Sequence, residues 1–312
     1  MNKVYSLVNE KILESLKQGY IPWQKPWSVS NGFSGIFHRN AVTGKPYKGA
    51  NVWLLSLACN RYPEYKRLWI TYKQARQLRG FIYKQAKPQM VIYWSMFIKR
   101  NGKLVKVNVE DLPKDPEDLK DLDLVPVLRY YTVFNIVDLG PDSLRESIIK
   151  KYNDLAQKTN KKIKPIERAQ KIIDKYKDRP PIFEDSQKAY YSPSNDEIHI
   201  PPRDCFISSE EYYSTLYHEC VHSTGHQKRL NRFDNGDYSH KAYSLEELVA
   251  EIGCCYLCNI AQIDTEAVFK NSTAYIQSWY KALSEHPKWF IIASSRAQKA
   301  VDYILNGMST KK

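Results

Sequence analysis

The pentapeptide His218-Glu219-Cys220-Val221-His222 carries the residues of one particular chemistry at the spacing that chemistry needs. A helix turns once in ~3.6 residues, so side chains four apart share a face and the two imidazoles can converge on one point. Neutral imidazole is a good ligand for Zn2+, and a carboxylate held beside the same ion can take a proton from an attacking water. The pattern therefore predicts metal-assisted hydrolysis, with His218 and His222 as zinc ligands and Glu219 as the general base. Two surface histidines without a metal would be spelled the same way. The order of elements favours the chemical reading. Ser208 and Glu211 make a capping box that opens a helix through both histidines. Ahead of it, the turn-rich Ser192-Pro193-Ser194-Asn195-Asp196 separates two short strand patterns, Tyr190-Tyr191 and Glu197-Ile198-His199-Ile200.

A hydrolytic zinc takes a third protein ligand and keeps its fourth position open. His226 follows His222 by four, but Gly225 breaks the helix before it. A second helical pattern opens at Ser244 and carries Glu247 and Glu251 four apart on one face. The motif resembles those of glutamate-type zincins, in which the first acid of such a pair binds the metal and the second orients a ligand histidine from behind. That resemblance makes Glu247 the third ligand and Glu251 its support. Two alternatives stay open: Glu251 as the ligand, or Glu247 as the third residue of a capping box begun by Ser244, with no role at a metal.

Charge points to a different partner for the other end of the chain. Residues 1–109 hold 19 Lys and Arg against three acids, residues 110–140 have a net charge of −5, and residues 141–312 a net charge of +2. Nearly the whole excess of +13 therefore lies in the first third, which suggests a polyanion. The same 109 residues carry 17 aromatics, five of them tryptophan. Rings interleaved with cations suit single-stranded nucleic acid, since bases stack while phosphates are neutralised and neither contact needs a particular sequence. The candidates are Trp23, Lys25 and Trp27 in one dense cluster and Arg67 and Trp69 in another, with Lys45, Lys48 and Lys73 between and beside them. Any one of these tryptophans could instead be core.

The elements that must position these groups can be read in outline. Val4, Leu7, Val8, Ile12 and Leu16 mark an amphipathic helix ended by Gly19. Residues 47–60 and 71–78 predict two more helices, and 90–99, 104–109 and 130–137 predict strands, the first two joined at Asn101-Gly102. The acidic stretch 110–123 reads as a solvated loop, and 144–173 as one helical segment. Cys255 and Cys258 lie within an unbroken helical pattern with no second pair, so they read as buried core thiols. No apolar run approaches the ~18 residues of a membrane span and no leader peptide is seen, so the expectation is a cytoplasmic protein with no membrane partner.

The chain resembles the ArdC-type antirestriction proteins of plasmids and phages over nearly its whole length. In the first half the likeness rests on Pro22-Trp23-x-Lys25-Pro26-Trp27, on Thr43-Gly44-x-x-Tyr47-x-Gly49-x-Asn51, on Trp69-x-Thr71-x-x-Gln74-Ala75 and on Val133-Phe134-Asn135. In the second it rests on Tyr212 to Glu219, on His222-Ser223-Thr224-Gly225-His226-x-x-Arg229-Leu230 and on Glu246 to Glu251. The chain departs from the family at Leu78-Arg79-Gly80 and Lys84-Gln85-Ala86-Lys87, where members carry a glycine pair and a Lys-Gly-Glu turn. The resemblance implies a single-stranded DNA-binding domain joined to a zincin-like metallopeptidase domain, protecting incoming DNA from host restriction.

The expected fold is α+β in two domains. Residues 1–140 form an α+β single-stranded DNA-binding domain with an antiparallel sheet, and residues 141–312 a minimal zincin-like metallopeptidase domain. The expected cofactor is Zn2+, and the expected partners are single-stranded DNA and an unidentified protein substrate. Two other readings remain: a purely steric DNA-binding protein whose zinc site is structural or vestigial, and a protease that DNA binding brings to one target. Nothing in the sequence ties the two halves to each other.

Overall fold

The computed structural model describes residues 3–24, 38–100, 103–107, 122–159, 165–233, 240–263 and 273–306. The architecture is α+β. Helix α1 (Lys3–Lys17) buries Val4, Val8, Ile12 and Leu16, one residue per turn on a single stripe, and Gly19 takes the left-handed conformation (φ 81°) just past its end. Helix α2 (Ala50–Arg61) follows Gly49, and α3 (Tyr72–Gln77) starts from a complete capping box of Thr71 and Gln74.

These helices accompany a five-stranded sheet. Its strands are β1 (Arg39–Asn40), β2 (Leu68–Ile70), β4 (Gln89–Arg100), β5 (Lys103–Val107) and β6 (Leu124–Asn135), in the order β1-β2-β6-β4-β5. Its long pairings are antiparallel, as expected, whereas β1 runs parallel to β2. β6 begins six residues earlier than the sequence pattern suggested, because Leu124 to Leu128 pair with the far half of β4. Two short strands, β3 (Phe81–Ile82) and β7 (Leu139–Gly140), pair beside it.

The second half is mainly helical. The expected single helix over 144–173 is two, α4 (Asp142–Thr159) and α5 (Pro165–Lys175), since proline is favoured in the first turn of a helix and disfavoured in its interior. A small sheet of β8 (Ile182–Phe183), β9 (Tyr190–Ser192) and β10 (Glu197–His199) precedes α6 (Ser209–Ser223), whose first turn is capped by the Ser208 side chain. Helix α7 (His240–Ala261) is buried from Leu248 to Cys258 with few breaks, as befits a central helix with neighbours on all sides. Its thiols Cys254, Cys255 and Cys258 belong to that core. Helix α8 (Thr273–Glu285) packs against α1, and α9 (Trp289–Asn306) packs along α7.

The two halves share one hydrophobic core. Val8, Ile12, Trp23, Trp53, Ile92 and Leu128 from the first half lie in the same cluster as Leu248, Tyr256, Trp279 and Phe290 from the second. Polar contacts stitch the seam. Asn9 Nδ2 donates to the Leu283 carbonyl (3.0 Å), Gly49 N to Gln298 Oε1 (3.2 Å), and the Tyr256 hydroxyl to the Gly49 carbonyl (2.9 Å). The sequence offered no sign of this tie.

Candidate metal centre and nucleic-acid residues

Helix α6 presents His218 and His222 on one face, with their Nε2 atoms 3.1 Å apart. Helix α7 crosses them and brings the Glu247 carboxylate to 3.5 Å from His218 Nε2 and 3.2 Å from His222 Nε2. One donor atom from each of the three lies within 4.8 Å of the others, and all three residues are half-buried. Bonds of ~2.0–2.2 Å at tetrahedral angles would set neighbouring ligand atoms ~3.4 Å apart, so this triangle has the size a divalent ion requires. Two nitrogens and a carboxylate oxygen are also a donor set that such an ion accepts. Glu219, between the histidines, is buried.

A close approach of α6 and α7 makes the triangle possible. Gly253 lies against Val221, and a Cβ at position 253 would come within 2.8 Å of the valine's methyl carbons. Helix α7 starts at His240, a turn ahead of Ser244, so Glu247 is not the third residue of a box opened by that serine. His226 lies past the end of α6, with its Nδ1 3.7 Å from Asp196 rather than in the triangle. The buried Arg229 fixes the returning loop, bonding Asp196, the Tyr191 hydroxyl and the Ser223 carbonyl.

Support for His222 comes from Glu246. Its Oε1 is 3.6 Å from His222 Nδ1, and Arg232 grips the same carboxylate (Nη2 to Oε1, 2.6 Å) while also bonding Thr224 Oγ1 and the Val221 carbonyl. Glu251, expected in that supporting role, accepts instead from Gln24 Nε2 at 2.8 Å, and Tyr275 also bonds it. Sequence reasoning missed Glu246 and Arg232. The adjacent acids Glu246-Glu247 were the available clue, because neighbours on a helix point ~100° apart and can grip a ring from two sides.

The electrostatics follow from the packing. Burial opposes charge on His222, but Glu246 and Glu247 outweigh it and raise the pKa to about 10. Burial would raise the Glu246 carboxyl, and His222 with Arg232 overcomes that and holds it low. Glu247 is likewise held below the usual carboxylate range, its burial outweighed by the two rings.

The nucleic-acid candidates divide differently. Trp23 and Trp69 are corrections to the sequence expectation: both are fully buried and offer no face to a base. Trp23 packs on Trp279 and Phe290 with ring centroids 6.1 and 5.7 Å away, and Trp69 Nε1 donates to buried His38 Nδ1 at 3.0 Å. Lys45, Lys48 and Lys73 are exposed, and Lys48 pairs with Asp302. Arg67 is half-buried, and burial lowers its pKa. Lys25 and Trp27 lie outside the described residues.

Comparison with known proteins matches this geometry to a class. Residues 2–134 match the family described as the N-terminal domain of anti-restriction factor ArdC, and residues 167–296 match the zincin-like metallopeptidase family. The chain is therefore an α+β protein joining these two domains. Two crystal structures of the antirestriction ArdC protein from R388 plasmid are 28% identical to it. The metal-free form superposes with a TM-score of 0.70 over 96% of both chains, and the Mn(II)-bound form with 0.71 over 99% of both. The chain thus carries a match to the ArdC N-terminal domain family followed by a match to the zincin-like metallopeptidase family, and it is similar to the R388 ArdC protein along nearly its whole length.

Curated relatives extend the likeness. The DNA primase TraC of Escherichia coli is 32% identical over 306 residues, but the chain spans only 20% of that protein and 26% of a second primase of the same name. An uncharacterized protein of Sinorhizobium fredii (strain NBRC 101917 / NGR234), y4eC, is 26% identical over 91% of its length. Among the described residues no helix is long and apolar enough to cross a membrane.

Proposed function

We propose that this protein shields incoming DNA from host restriction in the cytoplasm, binding single-stranded DNA through residues 1–140 and zinc through residues 141–312. His218, His222 and Glu247 hold the ion, and Glu219 is the general base. The observation that carries the metal reading is the triangle of three donors at 3.1, 3.5 and 3.2 Å. Three protein donors among the described residues, rather than the four of a closed structural site, favour a catalytic over a purely structural ion. Bound zinc would supply Lewis acidity at this point. Glu219 takes a proton from the attacking water and returns it to the leaving amine, while Glu246 keeps the His222 ring in register.

Metal analysis and a single isosteric change test the proposal. The purified protein is expected to hold about one zinc per chain, and the His218→Ala/His222→Ala variant almost none. Equal zinc in the two proteins would sink it. Glu219→Gln is expected to keep zinc and DNA affinity. If that variant still shields DNA in cells, protection is steric; if shielding is lost with DNA affinity intact, protection needs hydrolysis of a protein target. The steric outcome is the expected one, because a basic first half can cover DNA without chemistry.

A further inference from the structure

The three longest-paired strands of the first half form a surface of unusual composition. Strands β4, β5 and β6 contain Lys99, Arg100, Lys103, Lys106 and Arg129 but no Asp or Glu. Asp123 lies just outside, where its carbonyl accepts from Lys99 N. Directly opposed residues of neighbouring strands share a face, and alternate residues along a strand do too. The register sets Val91 opposite Tyr131, Tyr93 opposite Arg129, Phe97 opposite Lys106, and Lys99 opposite Leu104. One face therefore carries Tyr131, Tyr93, Arg129, Phe97, Lys106 and Lys99.

On that face rings and cations are interleaved. Tyr93 and Tyr131 meet edge-to-face at 5.4 Å and are 36% and 38% exposed. The Arg129 guanidinium lies 5.0 Å from the Phe97 ring centre, and Arg129, Lys99 and Lys106 are all exposed. From Tyr93 to Lys99 the strand runs ~20 Å. The opposite face also shows rings, Trp94 and Tyr130, but these sit among Ile92, Leu128 and Met96, with Lys103 far along that face.

We infer that single-stranded DNA lies along the Tyr131–Tyr93–Arg129–Lys106 face of this sheet, a placement that rests on the DNA-binding reading above. Two half-exposed rings supply stacking without regard to base identity, and three solvated cations track the phosphates. Among the described residues of these three strands there is no carboxylate to repel the DNA. This moves the interface away from the buried Trp23 and Trp69 and onto residues whose exposure only the fold reveals.

Anisotropy of a fluorescein-labelled oligo-dT with the full chain, across a salt series, tests the placement. Tyr93→Ala/Tyr131→Ala is expected to weaken binding by about tenfold or more, while Tyr93→Phe/Tyr131→Phe keeps the rings and stays near wild type. Arg129→Gln/Lys106→Gln should weaken binding and flatten the log–log salt slope by roughly 1 to 2. Trp94→Ala, on the other face, should leave affinity within about twofold. Thermal melting and metal uptake of each variant separate a lost surface from a lost fold. Wild-type binding that all the Tyr93, Tyr131, Arg129 and Lys106 variants retain would overturn this placement yet leave the DNA reading standing. Trp94→Ala as damaging as the tyrosine pair would overturn it too. A wild-type chain that ignores oligo-dT, or prefers duplex, would remove both.

Discussion

The crossing of α6 and α7 and the sheet face of β4, β5 and β6 present their functional groups by opposite means. At the helix crossing, chemistry is written locally. Two histidines four residues apart share a face in any helix, which lets their Nε2 atoms approach to 3.1 Å. On the sheet, which ring faces water is decided by what the sheet packs against. Val91 is buried while Tyr93, two residues along the same face, is exposed. The lesson is that spacing encodes a constellation inside one helix, whereas composition encodes a binding surface only once tertiary packing has assigned its faces.

The sharpest way to break that contrast is to treat Trp23 as a surface residue. Trp23→Ala is expected to cost about 3–5 kcal/mol of stability, because it empties a fully buried site against Trp279 and Phe290. Denaturant melts read the loss directly. A variant with unchanged stability and weakened DNA binding would restore Trp23 as a stacking platform.

The next effect belongs to the metal centre. His222 holds its proton to about pH 10 in the metal-free site, and a metal needs the neutral ring. Metal affinity should therefore climb by up to about tenfold per pH unit between pH 7 and that value, with a proton released on binding. Stability of the metal-free protein runs the other way. The raised pKa contributes fully below the unfolded value of ~6.5 and its contribution fades as pH rises towards 10. Chelator competition at pH 7, 8 and 9 would expose a flat affinity, which would mean that Glu246 and Glu247 do not hold that proton on His222.

Gly253→Ala probes how the helices are spaced. The new methyl must displace Val221, so a cost of about 1–3 kcal/mol is expected, with weaker metal binding as Glu247 moves off the histidines. Unaltered metal affinity in a destabilised variant would show that the triangle tolerates a wider crossing. The smallest effect is expected from Lys48→Ala. Its pair with Asp302 is solvent-exposed at both ends, and such pairs contribute under about 1 kcal/mol. A larger loss of melting temperature would make Lys48 part of the seam between the halves.

Much of the fold was legible because its signals are periodic. The valine, isoleucine and leucine stripe of α1 and the Ser208 cap both speak through residues close in sequence. His218 and His222 were legible for the same reason, whereas Glu247 came only from the resemblance to glutamate-type zincins, with Glu251 left beside it as an alternative. The rest depends on distant partners. Whether Glu246 or Glu251 steadies His222 turns on Arg232 and Gln24, residues whose positions no local pattern fixes. The inward turn of Trp23 required knowing that Trp279 and Phe290, more than two hundred and fifty residues along the chain, would be waiting for it.

That distant packing bears on how such a chain can be cut and rejoined. A division at residue 140 would strip Trp23 and Ile12 of their cover on one fragment and expose Trp279 and Phe290 on the other. A protease acting on the folded protein should find no cut that releases two stable pieces. Recombination faces the same constraint, since a half inserted elsewhere would carry a raw apolar surface with it. Exchange among mobile elements would then favour the whole block. The primases that match 96% of this chain, within proteins of which it makes up 20% and 26%, have the arrangement that transfer of an undivided block would leave.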